Sequence, residues 1–99
     1  MADQGEIDAQ RKFARRFGEN LVHARRAAGL SQEALSFEAG LHRTEIGALE
    51  RGIRIPRLDT LVKLAAVLGI SVQRLIAGIE WEAPQRGGGS FSVTSRENK

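Results

Sequence analysis

Residues 31–52, SQEALSFEAGLHRTEIGALERG, decide the fold of this chain. The serine at the start can cap a helix, because its hydroxyl accepts a hydrogen bond from a free backbone N–H of the first turn. Leu35 and Ala39 lie one helical turn apart, Gly40 interrupts the pattern, and helical apolar spacing resumes with Ile46 and Leu49. The stretch therefore predicts two short helices joined by a tight turn, and the second helix covers about residues 42–51.

The second helix has an outward arc that suits DNA. At about 100° per residue, one continuous arc contains Arg43, Thr44, Gly47, Ala48 and Arg51. Arginine offers a bidentate fork to guanine, and threonine can donate, accept or touch a thymine methyl. A glycine costs roughly 1 kcal/mol relative to alanine in a helix, so either clearance for DNA or chance explains it. An ordinary amphipathic helix with a solvated face is the alternative, although the arc contains no acid. We predict that the first four residues meet base edges in the major groove.

A second set of residues is placed to contact phosphate. Gln32 lies at the start of the first helix of the pair, where the helix dipole and free N–H groups favour an anion. His42 begins the second helix, and Arg51, Arg54 and Arg57 cluster at and beyond its end. We predict phosphate contacts for these five residues. Plain surface charge is the alternative for the arginines.

Glu50 differs from the other polar residues of the second helix. It lies at the border of the apolar face, where a buried carboxylate needs a partner. Arg25, late in the preceding helical segment, is our candidate for an internal ion pair. If Glu50 is exposed instead, no such pair is needed. Phe37 lies off the apolar stripe of its own helix, so it is either partly exposed or packed on the first helix.

A long helix precedes this pair. Phe13 and Phe17 begin an apolar stripe at helical spacing that predicts a helix over residues 8–28. Gly29 is predicted to end it in the left-handed conformation. The polar segment 1–7 is predicted to be flexible.

Two further helices follow the pair. Residues 58–68 are apolar nearly all round, which is typical of a helix in the middle of a core. Ser71 is predicted to cap a short fifth helix that ends near residue 77. Residues 8–78 thus form the predicted helical domain.

The tail, residues 79–99, has a different pattern. Two runs that alternate apolar and polar residues, 79–82 and 91–94, flank a glycine-rich loop, which is typical of a β-hairpin. A disordered tail is the alternative. A hairpin alone is marginal, so it would pack on the helices or pair with a second subunit. The predicted dimer interface consists of apolar residues in the fifth helix and the tail: Leu75, Ile76, Ile79, Trp81, Phe91 and Val93.

Composition limits the function classes. Ninety-nine residues, 41% of them hydrophobic, suit one small domain whose modest core favours dimerisation. The net charge of +3 is a weak indication of an anionic partner. There is no cysteine, and two histidines alone make no convincing zinc site. No catalytic motif, signal peptide or membrane span is evident. We therefore expect a cytoplasmic protein that is not an enzyme and has no cofactor, membrane partner or small-molecule ligand.

The run from residue 21 to residue 75 resembles the lambda-repressor-like, Xre/Cro-type helix-turn-helix domain. The resemblance rests on GLSQE at 29–33, AGL at 39–41, LERG at 49–52 and LGI at 68–70. The string GLHRTEIGALERG is further similar to controller proteins of restriction–modification systems. The expected fold is an all-α, five-helix DNA-binding domain, with a long first helix and a C-terminal β-hairpin or extended tail.

The resemblance implies that the protein binds double-stranded DNA as a homodimer on a palindromic operator. It also implies that Gln32 contacts phosphate, that the outward residues after the turn read bases, and that Arg25 pairs with Glu50. The predicted function is that of a sequence-specific transcriptional regulator. The alternative is a protein-interaction module of the same fold, antitoxin-like or a bridging cofactor, with little direct base readout. Because Gly47 and Ala48 offer little side chain, that alternative stays open.

Overall fold

A computed structural model describes residues 3–83 and 88–94 of the chain. Its elements, in order, are α1 (Gln4–Ala27), α2 (Gln32–Ala39), α3 (Arg43–Glu50), α4 (Leu58–Leu68), α5 (Val72–Leu75), β1 (Ile79–Glu82) and β2 (Ser90–Val93). The two strands form one antiparallel sheet in which Trp81 faces Phe91. The predicted five-helix domain with a C-terminal hairpin is therefore confirmed. None of the helices in the described residues is long and apolar enough to cross a membrane.

The helix α1 begins earlier than its apolar stripe indicated. Asp3 caps it by accepting a hydrogen bond from the backbone N–H of Glu6 at 2.8 Å, so the helix starts at Gln4. Helical structure therefore begins inside the segment 1–7, whose predicted flexibility stays a prediction. At the other end Gly29 has a φ of 73°, the predicted left-handed conformation.

The turn between α2 and α3 forms from local signals. The Ser31 hydroxyl accepts a hydrogen bond from the backbone N–H of Ala34 at 3.0 Å and so caps α2. Gly40 ends α2 with a φ of 69°, a conformation that favours glycine. The chain then turns back on itself, and the N–H of Leu41 donates to the carbonyl of Ser36 at 2.8 Å.

The core lies between α1 and the other helices. Its fully buried large side chains are Phe17, Leu21, Leu35, Ile46, Leu49, Leu64 and Leu75. Leu75 has no exposed surface, so its predicted place in a dimer interface was wrong. It faces the core of its own chain, where the side-chain amide of Asn20 donates to its carbonyl at 2.9 Å. Phe37 is 85% exposed, which decides between the two alternatives for it.

One side of α4 faces solvent. Leu64 is fully buried, but Leu58 is 77% exposed and Val62 is 53% exposed. The prediction that this helix is buried all round was wrong, because its main packing partners are α2 and α5, on one side only. Leu58, Val62 and Ala66 follow one another at four-residue spacing and are all exposed. We call these three residues the α4 stripe.

The hairpin packs on its own first helix. The rings of Phe13 in α1 and Phe91 in β2 meet edge to face at 5.1 Å, and Trp81 meets Phe91 at the same distance. The N–H of Thr94 donates to the carbonyl of Gly78 at 2.8 Å and closes the base of the hairpin. Residues 84–87 of the predicted glycine-rich loop lie outside the described residues.

Candidate nucleic-acid interface

The helix α3 buries one face and presents the other. Ile46 is fully buried and Leu49 is 1% exposed, so these two residues fix the helix on the core. Arg43 and Thr44 lie on the opposite side and are exposed. The short α2 and the turn at Gly40 hold α3 at the surface of the domain, in the arrangement that the sequence predicted.

His42 caps the helix that carries the candidate reading residues. Its Nδ1 accepts a hydrogen bond from the backbone N–H of Thr44 at 3.3 Å and lies 2.8 Å from the Thr44 hydroxyl oxygen. The ring therefore satisfies a free N–H of the first turn and holds the Thr44 side chain in place. The structure gives His42 this capping contact, and its predicted phosphate contact stays a prediction.

Arg43 is available for a partner outside the chain. Its side chain is 65% exposed, and its Nη1 lies 3.8 Å from a carboxylate oxygen of Glu33, which is itself 77% exposed. Exposed pairs of this kind contribute about 0–1 kcal/mol. The contact with Glu33 can therefore be exchanged for a nucleic-acid contact at little cost.

Gly47 is not the open position that the sequence indicated. It is buried, because the Arg51 guanidinium lies over it: a Cβ added at Gly47 would stand 3.0 Å from the Arg51 Nη1. Helical side chains extend toward the N-terminus over the preceding turn, which is the direction that Arg51 takes. Gly47 thus gives room to an arginine of the same helix. Arg51 joins Arg43 and Thr44 on the outward face, beside the half-buried Ala48.

Three side chains join α1, α2 and α3 behind this face. Arg25 donates from Nε to Glu50 Oε2 at 2.5 Å and from Nη2 to Oε1 at 3.1 Å, and from Nη1 to the carbonyl of Leu30 at 2.9 Å. The Gln32 amide donates to Glu50 Oε1 at 2.8 Å. The Arg25 and Glu50 side chains are only 11% and 5% exposed. The hydrogen bond to Glu50 raises the pKa of Arg25, although burial partly opposes this.

This arrangement changes the expectation for Gln32. Its side-chain amide already serves Glu50, so the group that the sequence assigned to phosphate is engaged inside the protein. Its backbone N–H still lies at the first position of α2, where an anion is favoured. A phosphate contact by Gln32 stays a prediction.

The predicted phosphate-binding arginines flank the end of α3. Arg54 is exposed in the loop, and Arg57 precedes α4 with its Nε 3.2 Å from a carboxylate oxygen of Asp59. Within residues 3–83 and 88–94, no acidic side chain forms an ion pair with Arg51 or Arg54. The exposed end of α3 therefore carries uncompensated positive charge.

The remaining predicted dimer residues have mixed surroundings. Ile76 and Ile79 are partly buried against the core of their own chain, and Phe91 is half-buried on α1. Trp81 is 52% exposed and Val93 is 36% exposed. These last two are the only exposed residues among the six, and their part in a dimer stays a prediction.

Sequence reasoning missed the contact that fixes the distance between α1 and α3. Gly18, in the middle of α1, lies against the end of α3: an added Cβ would stand 2.6 Å from the carbonyl oxygen of Leu49 and 2.7 Å from that of Glu50. A glycine inside a helix lowers helix stability by roughly 1 kcal/mol relative to alanine. That unfavourable residue was the available signal for a close approach of two backbones.

Comparison with known proteins agrees with this geometry. The helix-turn-helix family model HTH_3 matches residues 21–75. The control protein C.SmaI of Serratia marcescens is 47% identical over 58 residues, which are 59% of this chain and 69% of that protein. The crystal structure of the restriction-modification controller C.AhdI from Aeromonas hydrophila has 44% identity and a TM-score of 0.61, covering 63% of this chain and 94% of that one.

A further solved structure is that of SinR in complex with DNA. It is 30% identical to this chain, with a TM-score of 0.58, and covers 60% of this chain and 95% of that one. The matched residues 21–75 contain every helix from α2 to α5 and the second part of α1. Since this match spans more than half of the chain, the protein belongs to the HTH_3 helix-turn-helix family of Xre/Cro-type DNA-binding transcriptional regulators.

Proposed function

We propose that the protein recognises a specific, palindromic operator as a homodimer and regulates transcription from it. The observation that carries this proposal is the outward face of α3, where Arg43, Thr44 and Arg51 are exposed together while Ile46 and Leu49 anchor the helix. A helix of this kind fits the major groove, where arginine and threonine can distinguish base pairs. Arg54 and Arg57 stand next to it and would contact the backbone.

The relatives support the same proposal. C.SmaI and C.AhdI are named as control proteins, the latter of a restriction–modification system, and SinR has been solved with DNA. The segment that matches the family model includes the residues of α2 and α3. We infer that the operator of this protein is read in the same general way, with one recognition helix from each subunit.

The central test is the substitution Arg43→Ala. A binding site is first selected from random duplex DNA with the wild-type protein, and the affinities of all single base-pair variants are then measured. Loss of the bidentate arginine contact is expected to relax the preference at one base pair of each half-site by about 1–3 kcal/mol, roughly 5- to 150-fold. Preference at the other positions should be retained.

Arg54→Ala is the matched control, because it removes the same charge from a predicted phosphate contact. It should weaken binding to all sequences alike and lower the salt dependence by about 0.9 per lost contact. If the wild-type protein selects no site even at low salt, the proposal fails, and a protein-interaction role becomes the better explanation. If Arg43→Ala and Arg54→Ala give the same uniform loss, Arg43 does not read a base.

For the homodimer we propose the α4 stripe as the main contact. Leu58 and Val62 form an exposed apolar row on a helix, which one chain alone does not cover. Asp59 and Lys63 lie beside this row with opposite charges, and both are exposed. Two antiparallel copies of α4 would bring each Asp59 toward the Lys63 of the other copy. This self-complementarity is what a two-fold interface requires.

The substitution Val62→Glu is expected to convert the dimer to a monomer in sedimentation measurements at tens of micromolar. Two like charges placed at a two-fold contact would have to be desolvated next to each other, which is strongly unfavourable. Val93→Glu is the matched control, since Val93 is an exposed valine of the hairpin. If Val93→Glu gives a monomer and Val62→Glu leaves the dimer intact, the interface lies in the tail. A monomeric wild-type protein would exclude the dimer.

A further inference from the structure

The first half of α1 lies outside the segment that matches the family, and it runs beside the end of the recognition helix. The backbone of Arg15 is so close to Gly52 that a Cβ added to this glycine would stand 3.0 Å from the Arg15 Cα. Further toward the N-terminus, Ile7 and Arg11 line a groove of about 450 Å³ whose other wall includes Gly52 and Ile53. The early turns of α1 are thus placed next to the loop that follows α3.

Four arginines belong to the two segments that meet here. Arg11 and Arg15 of α1, Arg51 at the end of α3 and Arg54 in the loop are all exposed. None of the four forms an ion pair with another described residue. The carboxylate nearest in sequence to the end of α3 is that of Glu50, which is nearly buried and already bound by Arg25. The surface therefore has a concentrated positive charge, and the exposed carboxylates of Asp8 and Glu19, one turn along α1, form no ion pair with it among the described residues.

We propose that Arg11 and Arg15 bind DNA backbone phosphates, so that the first half of α1 is a second phosphate-binding element beside the recognition helix. This inference rests on the proposed function. Duplex DNA carries one negative charge per roughly 1.7 Å of its axis. When α3 lies in the major groove, backbone phosphates are therefore close to both ends of α3. Arg51 and Arg54 lie at that end, and α1 extends the same charged surface.

The fold also explains why these two residues are held in position. The segment from residue 4 to residue 15 is helical, so it is about 18 Å long at 1.5 Å per residue. Its contact with Gly52 fixes its distance from α3. A flexible arm with the same charges would have to be ordered on binding, whereas α1 presents them on a formed helix.

Lys12 offers a control inside the same helix. It directly follows Arg11, about 100° further round α1, and it lines a cavity with Val93 of the hairpin that Arg15 also lines. Lys12→Gln therefore removes one positive charge from the same helical turn at a residue that the proposal does not assign to phosphate. For a double control, Arg74→Gln can be added, since Arg74 is an exposed residue of α5.

The experiment compares the double variant Arg11→Gln, Arg15→Gln with the double control Lys12→Gln, Arg74→Gln on the operator selected by the wild-type protein. Glutamine retains good helix propensity, and circular dichroism checks that both variants fold. We expect the slope of log K against log salt to become shallower by about 1.8 per bound chain, which is two contacts at about 0.9 each. The control should change it by less than half of that. Base preferences should not change, and hydroxyl-radical footprints should lose protection at the outermost phosphates.

The inference is overturned if both double variants change the slope equally, or if neither changes it while the wild-type protein still selects its operator. That result would leave the proposed function intact, because α3 would still read the DNA. The proposed function fails in a different way, since the wild-type protein would then select no site. In that case the contact of α1 with operator DNA is excluded as well.

Discussion

Replacing Arg25 with methionine is expected to lower the free energy of unfolding by about 3–5 kcal/mol, the range for removing one partner of a buried ion pair. The Glu50 carboxylate is only 5% exposed and would lose both of its hydrogen bonds from the guanidinium. The Gln32 amide would remain as its one described side-chain donor, and it carries no charge. Because small domains have only about 5–15 kcal/mol of stability, the variant should be near the limit of folding. Urea unfolding followed by circular dichroism measures the change.

Two further variants make this result specific. Arg25→Met combined with Glu50→Met removes both charges, and it should recover most of the lost stability, because apolar replacements of a whole buried pair are often neutral. Arg57→Met breaks a pair whose side chains are 82% and 54% exposed, so its effect should stay below about 1 kcal/mol. If Arg25→Met has no larger effect than Arg57→Met, the internal pair does not hold the helices together.

The pH dependence of this pair follows from the direction of the shift. The hydrogen bond to Glu50 raises the pKa of Arg25 above its ordinary value. A raised folded-state pKa gives a stabilisation that is fully present below the unfolded-state pKa and is lost only as the pH rises through the folded-state value. Titration of Arg25 therefore leaves the difference between the wild-type protein and the variant constant at neutral and moderately alkaline pH.

The two-helix unit could be predicted because its signals are local. The Ser31 cap and the turn at Gly40 need only their own neighbours in the chain, and both are present as expected. The pairing of Arg25 with Glu50 was different. The border position of Glu50 indicated that a partner was needed, but it was the family resemblance that pointed most directly to Arg25. Contacts between residues far apart in sequence require such additional information.

The wrong predictions for Leu75 and for α4 share one physical cause. An apolar residue in a sequence shows that a side chain avoids water, but it does not show which surface covers it. Leu75 is covered by its own chain, whereas Leu58 and Val62 are not covered at all. The same limit applies to Gly47, because the path of a long side chain such as Arg51 depends on its rotamer. Sequence patterns identify the apolar face of a helix more reliably than they identify the surface that covers this face.

Alanine at Gly18 is expected to destabilise the fold, whereas alanine at Gly5 of the same helix is expected to stabilise it. At Gly5 the nearest atom to an added Cβ is a side-chain oxygen of Asp3 at 3.5 Å, so no clash opposes the gain of helix propensity, which is at most about 0.5–1 kcal/mol in this first turn. At Gly18 the same methyl would stand 2.6 Å from the carbonyl oxygen of Leu49. That atom belongs to the backbone of α3 and cannot rotate away.

We therefore expect Gly18→Ala to lower the free energy of unfolding by about 3 kcal/mol, the upper part of the usual range for overpacking. This steric clash can be relieved only if α1 moves away from α3. That movement would also separate α1 from the loop after α3 and from the arginines on either side of Gly52. Gly18→Ala should consequently weaken operator binding even at temperatures where the variant is folded, while Gly5→Ala should not. Equal stabilisation by both substitutions would mean that α1 and α3 are not in backbone contact. In that event α3 is held in position mainly by Ile46, Leu49 and the Glu50 ion pair.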